Sequence, residues 1–289
     1  MERNQRTDVL ALPKGKSGSV PFPSEHYPST IEAMGSRLFF FWCAIWASLM
    51  TVVSAVGSIT HQALSKNKGV FRLWSRFWSR SMFVGMGIRV HSEVRSALDP
   101  DRAYVFVCNH QVAIDIPVVS LAIPCPFGWV AKAELARTPF LGPAVRASPS
   151  VFIDRSHPKK SIESMRLAGQ RIRNGLSVII FPEGARSHGP ELAAFKRGAF
   201  QLAVEAGVPI VPVTILNAWQ VFNEKTRSAR PGRVHVVVGE PIFLDDSGRK
   251  QLEALSSRVR AAMQHELEVW NRAHPSRSLT GSDQQPARP

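Results

Sequence analysis

Cysteine is scarce in this chain. Cys43, Cys108 and Cys125 are the only three, they show no metal-ligand spacing, and two of them lie in apolar runs. That usage excludes a disulfide scaffold and a cysteine-built zinc site. It reads as small buried hydrophobes in a reducing compartment. Several signatures are also missing: no G-x-G-x-x-G, no G-x-x-x-x-G-K-[ST], no H-E-x-x-H and no G-x-S-x-G occurs. Nucleotide-binding, zinc-peptidase and nucleophile-elbow mechanisms therefore lack their usual parts. Acidic residues are few as well. Against 36 Lys and Arg there are 22 Asp and Glu, a formal net charge of +14. Such a surplus favours an anionic partner: nucleic acid, an anionic membrane surface or a phosphorylated substrate.

What is present divides the chain into parts. The 289 residues, 44% of them hydrophobic, suffice for one substantial domain plus an anchor. Residues 1–30 mix charge, Pro, Ser and Gly without periodicity and read as a disordered tail, as do residues 274–289. The run from Leu38 to Ile59 carries no charge over 22 residues, long enough for a membrane span. A buried core helix is the bland alternative, but uninterrupted apolar runs of this length are rare in soluble domains. Between His61 and Arg80 lie Lys66, Lys68, Arg72, Arg76 and Arg80 with no acidic residue. The positive-inside rule then puts the following domain on the cytoplasmic side. From Val70 to Val84, Phe71, Trp74, Phe77, Trp78 and Met82 recur every three to four residues with arginines between. This predicts an amphipathic helix suited to the headgroup layer. Residues 31–87 thus read as membrane-anchoring helices, either spanning the bilayer or dipping into one leaflet.

Residues 88–273 read as the catalytic domain. Short β-rich runs at Ile88–His91, Tyr104–Cys108, Phe127–Ala131, Val151–Ile153, Ser177–Phe181, Ile210–Leu216 and Val234–Val238 alternate with helical stretches. The helices are expected at Asp115–Ala122, Glu134–Arg146 (interrupted near Pro139), Pro158–Asn174, Leu192–Ala206 and Arg249–Trp270. In Pro158–Asn174 the pattern points Ile162, Met165, Leu167, Ala168 and Ile172 toward the core. The alternation predicts an α/β domain with a mixed, largely parallel sheet flanked by helices, preceded by the hydrophobic and amphipathic helix pair. In such sheets sites form beyond the strand C-terminal ends.

The segment YVFVCNHQVAIDIP, from Tyr104 to Pro117, carries the first chemical signal. His110 follows an apolar strand and Asp115 comes five residues later. The two meet if His110 lies in the loop and Asp115 in the first helical turn, where a carboxylate orients the imidazole as a base. By itself the spacing also fits a satisfied histidine at a strand end. Three further segments follow: Val151–Arg155 (VFIDR), Phe181–Ser187 (FPEGARS) and Val208–Val213 (VPIVPV). Each alone has a bland reading as a charge pair, a polar turn or an edge strand.

Jointly, in this order and at these separations, the four segments resemble the four blocks of the glycerolipid acyltransferase family, in its bacterial 1-acyl-sn-glycerol-3-phosphate acyltransferase type. The likeness covers about Tyr104 to Asn217. Two positions depart from the family pattern: Pro149 stands where a glycine is usual, and Ala185 replaces a threonine. The resemblance implies transfer of a fatty acyl group from acyl-CoA or acyl-ACP, a substrate rather than a cofactor, to the sn-2 hydroxyl of a lysophospholipid. His110 is implied as base and Asp115 as its orienter. Arg155 and Arg186 are implied as phosphate partners, with Lys132 a weaker third. Glu183 is expected to bind an acceptor hydroxyl or to orient Arg186, and Gly184 to permit close backbone approach. Backbone N–H groups of the two loops are the expected oxyanion donors. No metal is implied, membrane lipids are expected partners, and nucleic acid is not. The implied location is the bacterial inner membrane, catalytic domain toward the cytoplasm. Because of Ala185, another lysolipid acceptor such as a lyso-aminolipid stays open. A non-catalytic basic membrane-binding protein is the reading from a different class.

Overall fold

The structure, a computed structural model, describes residues 30–65, 70–137, 142, 149–154, 156–244 and 249–275. Nearly all of both expected tails, Lys66, Lys68 and Arg155 lie outside the described residues, and so does most of the second half of the helix expected at Glu134–Arg146. Of that helix, Ala133–Arg137 forms a 3₁₀ turn.

Seven strands form one sheet: β1 (Ile88–Val94), β2 (Val105–Cys108), β3 (Gly128–Lys132), β4 (Val151–Ile153), β5 (Val178–Ile180), β6 (Ile210–Ile215) and β9 (Gly232–Val238). Their order is β1-β9-β6-β2-β5-β3-β4. From β6 to β4 every pairing is parallel. Only β6 and β9 pair antiparallel, so the sheet is mixed and largely parallel, as the alternation predicts. A small antiparallel hairpin, β7 (Phe222–Asn223) and β8 (Ser228–Ala229), stands apart.

Helices cover both faces, and the period of two in the strands sorts their side chains. On β2, Phe106 and Cys108 join the core under α1 (Thr30–Leu64), α2 (Val70–Gly85) and α3 (Asp115–Ala122). Val105 and Val107 turn to the opposite core, closed by α4 (Pro158–Arg173), α5 (Gly198–Ala206) and α7 (Arg249–Ala273). A short α6 (Ala218–Val221) links β6 to the hairpin. With β2 buried on both faces, its end is a rigid platform for the loop that follows.

Two expectations shift at the helices. The expected Leu192 start moves to Gly198, and the segment before it is tied to the Pro182–Glu183 loop instead. Ala193 N–H donates to Glu183 Oε2 at 3.0 Å and Lys196 N–H to the Pro182 carbonyl at 2.9 Å. On α4, Ala168 and Ile172 are buried and Met165 packs beside them, whereas Ile162 and Leu167 are exposed. Leu167 sits about 100° around the helix from Ala168 and so leaves the core face.

The N-terminal pair forms an antiparallel hairpin held by tryptophans. Trp42 Nε1 donates to the Gly85 carbonyl (3.0 Å), Trp46 Nε1 to Ser81 (2.8 Å) and Trp78 Nε1 to Thr51 Oγ1 (3.0 Å). Gly57 and Gly85 make room for the indoles of Trp74 and Trp46, which a Cβ at either position would strike. Trp74, Trp78 and Met82 therefore turn toward protein, Trp74 and Trp78 half-buried and Met82 buried. The buried Val70, Ser79, Met82 and Phe83 mark the inward side of α2. Its exposed apolar residues are Leu73, Phe77 and Val84. On α1 the segment Met34–Leu64 is long and apolar enough to cross a membrane, and Leu38, Phe41, Ile45, Leu49 and Val56 are exposed along it.

At the far edge, His235 lies against His91 (5.3 Å between ring centroids) and Trp270 (4.6 Å). Burial first, then the charges of His91, His274 and Arg233, lowers its pKa from 6.5 to about 4. The folded state thus binds this proton less readily than the unfolded chain. The stability contribution is complete above about pH 6.5 and is lost as pH falls toward 4. We expect His235→Gln to flatten thermal stability over that window by about 1–2 kcal/mol, after allowing for solvent screening. Parallel melting curves of the two proteins at pH 7 and pH 4.5 check this, and an unchanged difference between the two pH values counts against it.

Candidate active site

Five parallel strands end on one rim, which brings together loops far apart in sequence. His110 follows β2, Glu183 follows β5, Lys132 ends β3, and Asn217 follows β6.

The His110 loop is fixed from several directions. Asn109 is buried, and its amide makes two bonds to one residue of β6: Nδ2 donates to the Ile215 carbonyl (2.9 Å) and Oδ1 accepts from Ile215 N–H (2.7 Å). Gln111 Nε2 donates to the same carbonyl at 3.1 Å. The carbonyls of His110 and Gln111 accept from Ser187 N–H (2.8 Å) and His188 N–H (2.9 Å). The loop after β2 is thereby stitched to the loop after β5.

Within this frame His110 and Asp115 meet. His110 Nδ1 is 2.7 Å from Asp115 Oδ2, so Nδ1–H donates to the carboxylate and Nε2 is left with its lone pair. The same oxygen accepts from Gln111 N–H (2.6 Å) and Val112 N–H (2.8 Å). Asp115 is fully buried. Burial pushes its carboxyl up, and hydrogen bonds from His110, Val112 and Gln111 pull it back toward the ionised form. The imidazole stacks on Phe181 with ring centroids 4.1 Å apart, and its side chain is 14% exposed, enough to meet a substrate.

Glu183 has a different place from the one expected. Its Oε1 accepts His110 N–H (2.8 Å) and its Oε2 accepts Ala193 N–H (3.0 Å). Both oxygens are spent on backbone, and the residue is buried. Burial raises its carboxyl, opposed by those two N–H groups. The geometry thus makes Glu183 a brace for the backbone of His110. Arg186 pairs instead with Glu224, Nη1 to Oε1 at 2.5 Å. Gly184 is favoured by its left-handed φ of 73°, and a Cβ there would also push aside the flexible end of Lys196, whose Nζ would stand 2.5 Å away. Ala185 is exposed, so the missing threonine hydroxyl leaves no buried partner unsatisfied. Lys132 is exposed at the end of β3. The backbone N–H groups expected to hold an oxyanion are largely committed: those of His110, Gln111, Val112 and Ala113 donate to carboxylates, and Gly184 donates to the Phe181 carbonyl. Cys108 is no rival nucleophile, because burial holds its thiol well above the ordinary value.

Glu224, Lys196 and His188 were not singled out from sequence. None stands in a spacing pattern, and Glu224 reaches the site across 38 residues from Arg186.

Residues 88–216 match the family model described as Acyltransferase. Among relatives, the 1-acyl-sn-glycerol-3-phosphate acyltransferase alpha of Ovis aries is 36% identical over 180 residues, 61% of this chain and 62% of that protein. The 1-acyl-sn-glycerol-3-phosphate acyltransferase of Pseudomonas aeruginosa is 29% identical over 239 residues, 81% of this chain and 90% of that one. The match thus spans about three fifths of the mammalian relatives' length. In three dimensions, the crystal structure of the 1-acyl-sn-glycerophosphate acyltransferase PlsC from Thermotoga maritima superposes with a TM-score of 0.69 at 24% identity. It covers 82% of this chain and 97% of that one and bears on the fold. The region similar to the acyltransferase family model spans β1 to the end of β6 and holds the whole His110–Asp115 loop.

Proposed function

We propose that the protein is a membrane-bound O-acyltransferase that moves a fatty acyl group from an acyl thioester to the sn-2 hydroxyl of 1-acyl-glycerol-3-phosphate, giving phosphatidic acid. The observation that carries this reading is the 2.7 Å contact of His110 Nδ1 with a fully buried Asp115, at a rim shared with Arg186. The names of the relatives point to the same acceptor.

The chemistry follows from the orientation of the ring. With Nδ1–H held by Asp115, Nε2 accepts the proton of the acceptor hydroxyl as its oxygen attacks the thioester carbonyl. The new C–O bond forms, the C–S bond breaks, and the thiol leaves as thiolate or takes the proton back from His110. Asp115 stabilises the imidazolium in between. No acyl-enzyme is needed, because the nucleophile arrives with the substrate. The acyl donor is the thioester of coenzyme A or of acyl carrier protein; the basic surface suits either anionic carrier.

In this reading Arg186 binds the acceptor's phosphate, which its partly exposed guanidinium supports. Arg155 and Lys132 are the further cationic groups of this reading. The exposed apolar face of α1 supports membrane attachment, with the catalytic domain on the cytoplasmic side by the positive-inside rule.

Purified full-length protein in phospholipid vesicles, given a labelled acyl donor and a panel of lysolipids, tests the reading. Transfer to 1-acyl-glycerol-3-phosphate well above transfer to lyso-aminolipids is the expected result; the reverse preference overturns the acceptor. In the same assay Arg186→Ala is expected to raise KM for the phosphorylated acceptor about 10- to 100-fold, with little change for the donor. Equal effects on both substrates argue against a phosphate contact.

A further inference from the structure

A guanidinium on a loop contributes to specificity only if something aims it. Arg186 is aimed by Glu224, which no motif marks. Glu224 stands in the turn between β7 and β8, and its two oxygens divide their work. Oε1 takes Arg186 Nη1 at 2.5 Å, while Oε2 accepts Ala113 N–H at 3.3 Å. Ala113 lies three residues after His110 in the same loop. One carboxylate therefore touches both the cation and the segment that carries the base.

The hairpin behind Glu224 is itself held. Phe222 stacks on Phe40 of α1 at 5.1 Å, Ser36 Oγ of α1 donates to the Ala229 carbonyl at 3.1 Å, and Asn223 Nδ2 donates to the His188 carbonyl at 3.3 Å. His188 faces the same carboxylate. Its Nδ1 lies 3.6 Å from Glu224 Oε1, and its backbone is kept in the left-handed region at φ 58°. That conformation is unusual for a residue with a side chain and is held in place by the surrounding bonds.

We propose that Glu224 is a positioning residue for acceptor binding, fixing Arg186 at a set distance from His110 so that the phosphate and hydroxyl of one acceptor molecule reach their partners together. The inference rests on the acyltransferase reading above. The donor geometry of arginine is what makes it work. With Nη1 held by Glu224, the parallel Nε–H and Nη2–H edge remains for two oxygens of a phosphomonoester. A carboxylate tied to both loops also resists their drifting apart. That matters because a misplacement of about 1 Å can cost a hundredfold in rate. Glu224 acts through Arg186 and through Ala113; it is given no contact with the reacting atoms.

The test is kinetic and uses the full chain in vesicles. Wild type, Glu224→Ala, Glu224→Gln, Arg186→Ala and the Arg186→Ala/Glu224→Ala double variant are assayed with 1-acyl-glycerol-3-phosphate, with the unphosphorylated monoacylglycerol, and with varied acyl donor. Glu224→Ala is expected to raise KM for the phosphorylated acceptor about tenfold and to leave the donor KM within about twofold. Glu224→Gln keeps one acceptor oxygen, which can take Arg186 Nη1 while the bond from Ala113 N–H is lost, and is expected to recover part of the loss, which also covers a Glu224→Ala protein that fails to fold. The double variant is expected to have the acceptor KM of Arg186→Ala alone, since Glu224 works through that residue. Two results overturn the proposal by itself: Arg186→Ala raises the acceptor KM while Glu224→Ala does not, or the two effects multiply in the double variant. If neither variant moves the acceptor KM in an otherwise active enzyme, the phosphate role of Arg186 falls, and this inference with it.

Discussion

His110→Ala is expected to lower acyl transfer by about 10²- to 10⁴-fold and to leave a protein that still folds and stays with the membrane. The size follows from the loss of a positioned general base facing a hydroxyl that is a poor nucleophile at neutral pH. The survival of the fold follows from where the loop's bonds lie. Glu183 accepts the backbone N–H of residue 110 and Ser187 N–H donates to its carbonyl, and neither bond involves the imidazole. The side chain contributes the contact to Asp115 and the stack on Phe181. Losing these costs roughly 1–3 kcal/mol, within the margin of an ordinary domain. Initial rates in vesicles, a melting curve and membrane fractionation check the three parts of the expectation. Wild-type-like turnover in this variant ends the proposed mechanism.

Asp115→Asn is the second large effect, and it separates charge from geometry. One oxygen, Oδ2, receives the His110, Gln111 and Val112 donors, while Oδ1 is buried without a hydrogen-bond partner among the described residues. An asparagine can therefore place its carbonyl where Oδ2 stands and keep all three bonds. Its NH₂ then occupies the Oδ1 position. What it lacks is the negative charge that stabilises the imidazolium as the proton arrives. We expect a rate loss of about 10²-fold or more, carried by kcat and with acceptor KM nearly unchanged. Asp115→Ala is expected to lose activity similarly and stability in addition, because two backbone N–H groups and the imidazole lose their acceptor, roughly 1–3 kcal/mol for each buried group left unpaired. An Asp115→Asn protein with near-normal kcat shows that the carboxylate's charge is dispensable. The alanine variant melting as high as the asparagine variant contradicts the role of Oδ2 in holding the loop.

The two effects bear on how much of the site is legible without coordinates. His110 and Asp115 are five residues apart, and the apolar run before them announces a strand end, so a loop-to-helix meeting can be read from spacing. Glu183 can be found in the same way, as a residue after a strand, but its task cannot. Its partners are the N–H groups of His110, 73 residues before it, and Ala193, 10 after it. The link between Asn109 and Ile215 crosses 106 residues, and that between Ala113 and Glu224 crosses 111. No local pattern encodes such pairings, because they arise from which strands become neighbours.

The helix pair divides similarly. The uncharged stretch Leu38–Ile59 and the periodic aromatics after Val70 identify two helices by composition and period alone. Period does not say what the apolar face of α2 packs against. The structure places Trp74, Trp78 and Met82 against α1 and the domain, with the indole N–H of Trp42, Trp46 and Trp78 each bonded across the pair.

Local physics, then, is legible in the chain alone: apolar strand runs, an uncharged helix of membrane length, a basic surplus, and a histidine and aspartate that can close one loop. These depend on side chains within a turn or a strand of one another. It took the fold to set that Glu183 braces the backbone of His110, that Arg186 leans on Glu224, and that α2 half-buries its tryptophans. The reason is that a buried polar group must find its hydrogen-bond partner, and the partner within reach is set by the order β6-β2-β5 in the sheet rather than by order along the chain.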